Sequence, residues 1–178
     1  MMMMMTQLPV DVIGRILEFI ESPEMLQTCV AIQDIWANNA AVVSRNLFNR
    51  LGGKNALIRA ADCNQADVCK CLLDLCEDNN DIAAGAHDAL WLASIWSNTD
   101  VVRCIMSDTK LQRCASMDAT DVLSDVIGSC DDVDVCRILL DRDICGERVA
   151  RADSDMLERA ASDGSIEICQ VLLSNISI

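Results

Sequence analysis

Asp67-Val68-Cys69-Lys70-Cys71-Leu72-Leu73 decides the fold, because the phrase keeps returning. It comes back as Asp100-Val101-Val102-Arg103-Cys104-Ile105-Met106, as Asp134-Val135-Cys136-Arg137-Ile138-Leu139-Leu140, and as Glu167-Ile168-Cys169-Gln170-Val171-Leu172-Leu173. The acidic residues that open the copies, Asp67, Asp100, Asp134 and Glu167, are evenly spaced to within one position. A constant period of that size marks an array of small units, each touching only its neighbours, and not one globular core. Such arrays present surfaces and seldom enclose a catalytic pocket, so the period already turns the search for function toward binding.

Working upstream from each copy, a second phrase keeps the same beat. Leu57, Leu90, Leu123 and Leu157 fall at the same step as the acidic openers. Three and four positions later stand Ala60-Ala61, Ala93-Ser94, Val126-Ile127 and Ala160-Ala161. Small side chains in those slots let helices approach closely. The two phrases are joined by Asn64-Gln65, Ser97-Asn98, Asp131-Asp132 and Gly164-Ser165. Asn and Gly tolerate the left-handed conformation that ends a helix. The acidic opener then suits the positive N-terminus of the next helix. Each unit therefore reads as helix, tight turn, helix. Its second helix has an apolar face at Val68, Cys69, Leu72 and Leu73 or their equivalents. One such pair cannot bury that face alone, so the units must stack.

Composition agrees with an all-α chain. It has two Pro, no Tyr and no strand-like alternation over its 178 residues. The net charge of −14 repels phosphate backbones, so nucleic acid is not an expected partner. No apolar run reaches membrane-spanning length, and no signal peptide follows the opening methionines, so no membrane partner is expected. The acidic stretch Asp131-Asp132-Val133-Asp134 lacks the central Gly and closing Glu of a calcium loop. Of the 11 cysteines, Cys69, Cys136 and Cys169 share one repeat slot and Cys71 and Cys104 another, which reads as reduced core thiols in an intracellular protein. Cytoplasm or nucleus fits, or a host cell if a virus supplies the chain. With His87 as its single histidine, in what reads as a connecting loop, the chain offers no metal-ligand set and no base for a nucleophile. No cofactor and no enzymatic activity are expected.

The repeat resembles the ankyrin repeat from about Asn55 onward, carried by Ala60 to Leu73 and Ala160 to Leu173. The chain departs from the family in its Pro slot, which holds Ala56, Ala89, Val122 and Met156, and in its His slot, which holds Ile58, Trp91, Ser124 and Glu158. The resemblance implies an ankyrin-like helical-hairpin solenoid of about four degenerate repeats over 52–178, divided near 55–88, 89–121, 122–155 and 156–178. The connectors near 77–88, 107–121 and 141–155 lack the family's Gly-Ala-Asp segment and read as irregular loops. By the same resemblance, a groove for a target protein would be lined by Arg59, Leu92, Asp125 and Arg159, and one turn further on by Cys63, Trp96, the Ser129/Cys130 pair and Asp163. Leu92 and Trp96 are four apart and so adjacent on a helix. The competing reading rotates that repeat and places Trp96 in the core.

Ahead of the repeats, 1–6 is a Met-rich leader expected to be disordered. Over 7–51, Leu8-Pro9, Ile16-Leu17, Ser22-Pro23, Leu26 and Ile32-x-x-x-Trp36 follow one another in an order that resembles the F-box. Basic residues usual before the Trp are replaced by Gln33-Asp34-Ile35. That resemblance implies docking of Leu8, Pro9, Ile16, Leu17 and Leu26 on a Skp-type adaptor of a cullin-type ubiquitin ligase. The chain would then be a substrate-recognition subunit whose repeats hold the target. The alternative is a helical cap on the first repeat, in a stand-alone ankyrin scaffold or competitive binding module.

Overall fold

The computed structural model describes residues 39–75, 80–108, 111, 119–129, 132–141, 150 and 152–175. The leader, the F-box-like docking residues Leu8, Pro9, Ile16, Leu17 and Leu26, and Trp36 lie outside the described residues. Within them the chain is all-α, with eight helices and no strand. They are α1 (Ala40–Asp62), α2 (Ala66–Asp74), α3 (Asn80–Ile95), α4 (Thr99–Ser107), α5 (Ala119–Ser129), α6 (Val133–Leu140), α7 (Ser154–Asp163) and α8 (Ile166–Asn175).

The helices pair and stack in strict order. Sequence neighbours form four hairpins, α1 with α2, α3 with α4, α5 with α6 and α7 with α8. The first helices lie side by side as α1, α3, α5 and α7, and the second helices as α2, α4, α6 and α8. The repeated leucines explain the order. Leu57, Leu90 and Leu123 are fully buried, as are Ala60, Ala93, Val126 and Ala160 beside them. Leu72, Ile105, Leu139 and Leu172 are buried at the facing position of the second helices. One continuous core runs from Val43 to Leu172 between the two layers. Among the described residues no helix is long and apolar enough to cross a membrane.

The turns inside the hairpins share one construction. Asn64, Ser97 and Gly164 occupy the same slot, with φ of 54°, 56° and 77°. The next residue's N–H reaches back five positions in each, from Gln65 to the Ala60 carbonyl, Asn98 to Ala93 and Ser165 to Ala160. The left-handed residue donates three back, to Ala61, Ser94 and Ala161. These paired bonds close the helix C-terminus by satisfying two of its orphan carbonyls. The third hairpin instead opens α6 with Asp132, whose carboxylate accepts from the Val135 N–H at 2.9 Å. Asp153 does the same for Met156 at the start of α7, again at 2.9 Å.

α1 is two helical pieces joined at Gly52, whose φ of 77° and ψ of 167° leave the helical region. The bend strips two N–H groups of intrahelical partners, and Asp81 of α3 takes them. Its Oδ2 accepts from Gly53 at 2.8 Å and from Lys54 at 3.3 Å. Gly85 lies so close to α1 that a Cβ there would sit 2.7 Å from the Lys54 carbonyl oxygen. Lys54 Nζ also meets Asp88 Oδ2 at 3.0 Å.

These contacts correct one sequence expectation. The stretch near 77–88 is helical from Asn80, and His87 sits half-buried inside α3, not in a loop. The reason is compositional: Ile82-Ala83-Ala84-Gly85-Ala86 contains three alanines, the best helix formers. Its first turn is held by Asp81 against the preceding hairpin.

The turn slot supplies a test. Ser97 lacks glycine's freedom at φ 56°, so Ser97→Gly should raise unfolding free energy by about 0.5–1 kcal/mol. Gly164→Ala, where an added methyl meets nothing within 4 Å, should lower it by about 1 kcal/mol through backbone strain alone. Urea denaturation midpoints of the two variants check the opposite signs.

Candidate functional site

The first-helix layer carries the residues expected to bind. Within α3, Leu92 is half-buried, and Trp96, one turn later and just past the helix end, is 58% exposed. Trp96 is therefore not a core residue. Its backbone N–H bonds to the Leu92 carbonyl at 3.0 Å, and the Ser97 left-handed turn follows at once. The chain turns away toward α4 there and leaves the indole in solvent. Arg59 is half-buried on α1, and Asp125 and Arg159 are exposed on α5 and α7.

Two of those slots have a second task. Trp91 Nε1 donates to Asp125 Oδ2 at 2.9 Å, linking α3 to α5. Arg159 Nη1 donates to the Ser124 carbonyl at 3.3 Å, linking α7 to α5. Its guanidinium lies over Gly128, in space that a Cβ there would claim. With Lys54–Asp88, which links α1 to α3, these contacts join each first helix to the next. Asp125 and Arg159 thus tie one hairpin to another while keeping part of their surface to solvent.

The slots one turn on diverge. Trp96 and Asp163 are exposed, whereas Cys63 is fully buried and does not line a groove. Sequence reasoning missed Trp91, which is 39% exposed and anchored by its ring nitrogen. The signal for it was present: an aromatic in a slot that holds Ser124 and Glu158 elsewhere, with an Asp in the groove slot of the following unit.

Deeper contacts hold the platform under this face. Asn98, 7% exposed, donates its side-chain amide to the Ala61 carbonyl of the preceding hairpin at 3.1 Å. Cys104 Sγ approaches the Ala66 carbonyl at 3.8 Å. Burial pushes the Cys63 thiol up to about 12, with Arg59 opposing and Asp62 adding to the rise. Burial, aided by Asp108, likewise pushes Cys104 up to about 11. Cys69 is raised well above its ordinary value, burial again coming first. Thiols held protonated in this way are poor nucleophiles and poor metal ligands.

On the second-helix layer, Thr99, Arg103, Asp134, Arg137, Ile138 and Asp141 line an open cleft of about 330 Å³ between α4 and α6. Two arginines face two aspartates there, and Arg137 pairs with Asp134 at 3.4 Å, so the cleft is close to neutral. Among the described residues, no three His, Cys, Asp or Glu side chains converge as they would around a metal ion. No protein-family model, curated protein or solved structure matches this chain.

Two outcomes follow from the geometry. Trp91→Phe removes the indole N–H and should cost about 0.5–1 kcal/mol of stability, whereas Trp96→Ala should change it by less than about 0.5 kcal/mol; urea unfolding of each variant separates them. The thiols set a pH dependence. Above the ordinary Cys63 value of 9.0 the unfolded chain sheds that proton and the folded chain keeps it, so stability falls as pH rises toward the folded value of about 12. Between pH 9 and 11, Cys63→Ala should flatten the fall by about 1.4 kcal/mol per pH unit, read from unfolding curves at each pH.

Proposed function

We propose that this chain is a protein-binding adaptor, its ankyrin-like hairpins holding a target protein through the first-helix face. One observation carries the reading: Trp96 is 58% exposed beside Leu92, while Trp91 on the same helix is tied to the neighbouring hairpin and Leu57, Leu90 and Leu123 of that layer are buried. Leaving an indole in water forgoes burial worth about 1.5–3 kcal/mol for a large side chain. Trp is also enriched among interface residues whose truncation costs about 2 kcal/mol or more.

Several features support the ankyrin-like description. The hairpins repeat at a near-constant step, the helices lie in two layers with neighbour-only stacking, and the turn slot is left-handed in three hairpins. The ligase connection rests on the residue order from Leu8-Pro9 to Trp36. In this reading the N-terminal segment docks on a Skp-type adaptor through Leu8, Pro9, Ile16, Leu17 and Leu26. The chain then works by proximity, raising the target's effective concentration beside a ubiquitin-transfer enzyme and making no bonds itself.

The test uses the full chain and purified Skp-type adaptor. Wild type and Trp96→Ala should both co-elute with it, and Leu17→Asp should not, with the helical circular dichroism of all three unchanged. A wild-type chain that fails to bind the adaptor removes the ligase role and leaves a stand-alone binding module.

A further inference from the structure

Charge is unevenly spread over the first-helix layer. α1 carries four cations, Arg45, Arg50, Lys54 and Arg59, against Asp62 alone. α5 carries Asp121 and Asp125 and no Lys or Arg. α7 sets Asp155, Glu158 and Asp163 against Arg159 alone. The layer therefore runs from positive at α1 to negative at α5 and α7, and α3, with Leu92 and Trp96, lies between the two regions. Lys54 meets Asp88 on α3, and Asp125 accepts from the uncharged Trp91 N–H. Asp121, Asp155, Glu158 and Asp163 are exposed, and their carboxylates have no ion pair or hydrogen bond among the described residues.

An apolar hold and a field of one sign thus lie side by side. Half-buried Leu92 and Trp96, 58% exposed, supply the hold. Each exposed carboxylate is screened and contributes little alone, but several of one sign on one side of a face select the sign of what docks there. Packed helices lie about 8–10 Å apart. A strand-like segment advances about 3.3 Å per residue, so one laid across the layer reaches a new helix at about every third residue. From an anchor on α3 it would pass over the acids of α5 and then those of α7. The opposite course would bring the same segment over the cations of α1.

We infer that the segment held by this face is cationic: an extended stretch of a partner protein that sets an apolar residue against Trp96 and Leu92 and carries Lys or Arg at about every third position across α5 and α7. The inference rests on the reading of the first-helix layer as the target-binding surface, and adds to it the partner's charge and its direction. It is independent of whether the N-terminal segment meets a ligase adaptor.

Fluorescence anisotropy of the full chain with three labelled decapeptides tests this. Each peptide opens with two leucines and then carries Arg, Gln or Glu at every third position, with Ser elsewhere. The Arg peptide should bind at least about tenfold more tightly than the Gln peptide, and the Glu peptide more weakly than either. Added salt should narrow the gap between the Arg and Gln peptides. Trp96→Ala should weaken the Arg peptide at least about tenfold. Asp121→Asn combined with Asp155→Asn should weaken it at least about fivefold and leave the Gln peptide unchanged. All these positions are exposed, so the helical circular dichroism of both variants should match the wild type. A Gln peptide that binds as tightly as the Arg peptide, and through Trp96, overturns the cationic segment and leaves the first-helix face as a binding surface. An Arg peptide that ignores Trp96→Ala overturns both. Failure of all three peptides to bind, or indifference of the Arg peptide to the paired Asp variant, also overturns the inference.

Discussion

Everything in this fold depends on the close approach of neighbouring hairpins along two rows of small and medium residues. Ala60, Ala93, Val126 and Ala160 have no accessible surface, and each sits one turn from a member of the leucine row. A hairpin alone leaves its apolar face open to water; burial is completed only when the next hairpin arrives. Stability is then a sum over contacts between neighbours, each of modest size, with no central nucleus. The polar ties that cross the same boundaries work on orientation. Lys54–Asp88 is largely solvent-exposed and contributes at most about 1 kcal/mol. Asn98 on the Ala61 carbonyl is buried and holds the relative height of two turns.

Much of this was legible in the residues. The period, the leucine slot, the small-residue slot and the turn slot could all be read from spacing, because each follows from a local rule that returns once per unit. The left-handed turn is the clearest case: Asn64, Ser97 and Gly164 differ in side chain but share a backbone state. Other features were hidden because they arise between units. The helical start of α3 at Asn80 lies ahead of the repeated phrase around Leu90, so the period does not announce it. The capping of Gly53 by Asp81 joins positions 28 apart in sequence, an offset that matches no slot of the repeat.

The candidate face shows the same division. Arg59, Leu92, Asp125 and Arg159 occupy equivalent positions, yet Asp125 receives the Trp91 indole and Arg159 lies on Gly128. Which way such a slot points depends on the small rotation between successive hairpins, and a repeat period does not encode that rotation. Within one slot Trp96 is exposed and Cys63 is buried. The cysteines that share repeat slots follow their spacing only in part: Cys69 and Cys136 are buried free thiols used as small apolar groups, whereas Cys71, Cys104 and Cys169 are half-buried.

The bend at Gly52 has a consequence for the order in which the array comes apart. The helix from Gly53 onward begins on a carboxylate borrowed from its neighbour, so the opening unit is incomplete by itself. Fraying that starts at α8 can peel away two hairpins without disturbing that joint. Loss of α3 would release Gly53 and Lys54 together and uncouple the segment ahead of Gly52 from the stack. The joint at Gly52 is thus latched to α3, and the latch lies where the amino-terminal segment is joined to the rest.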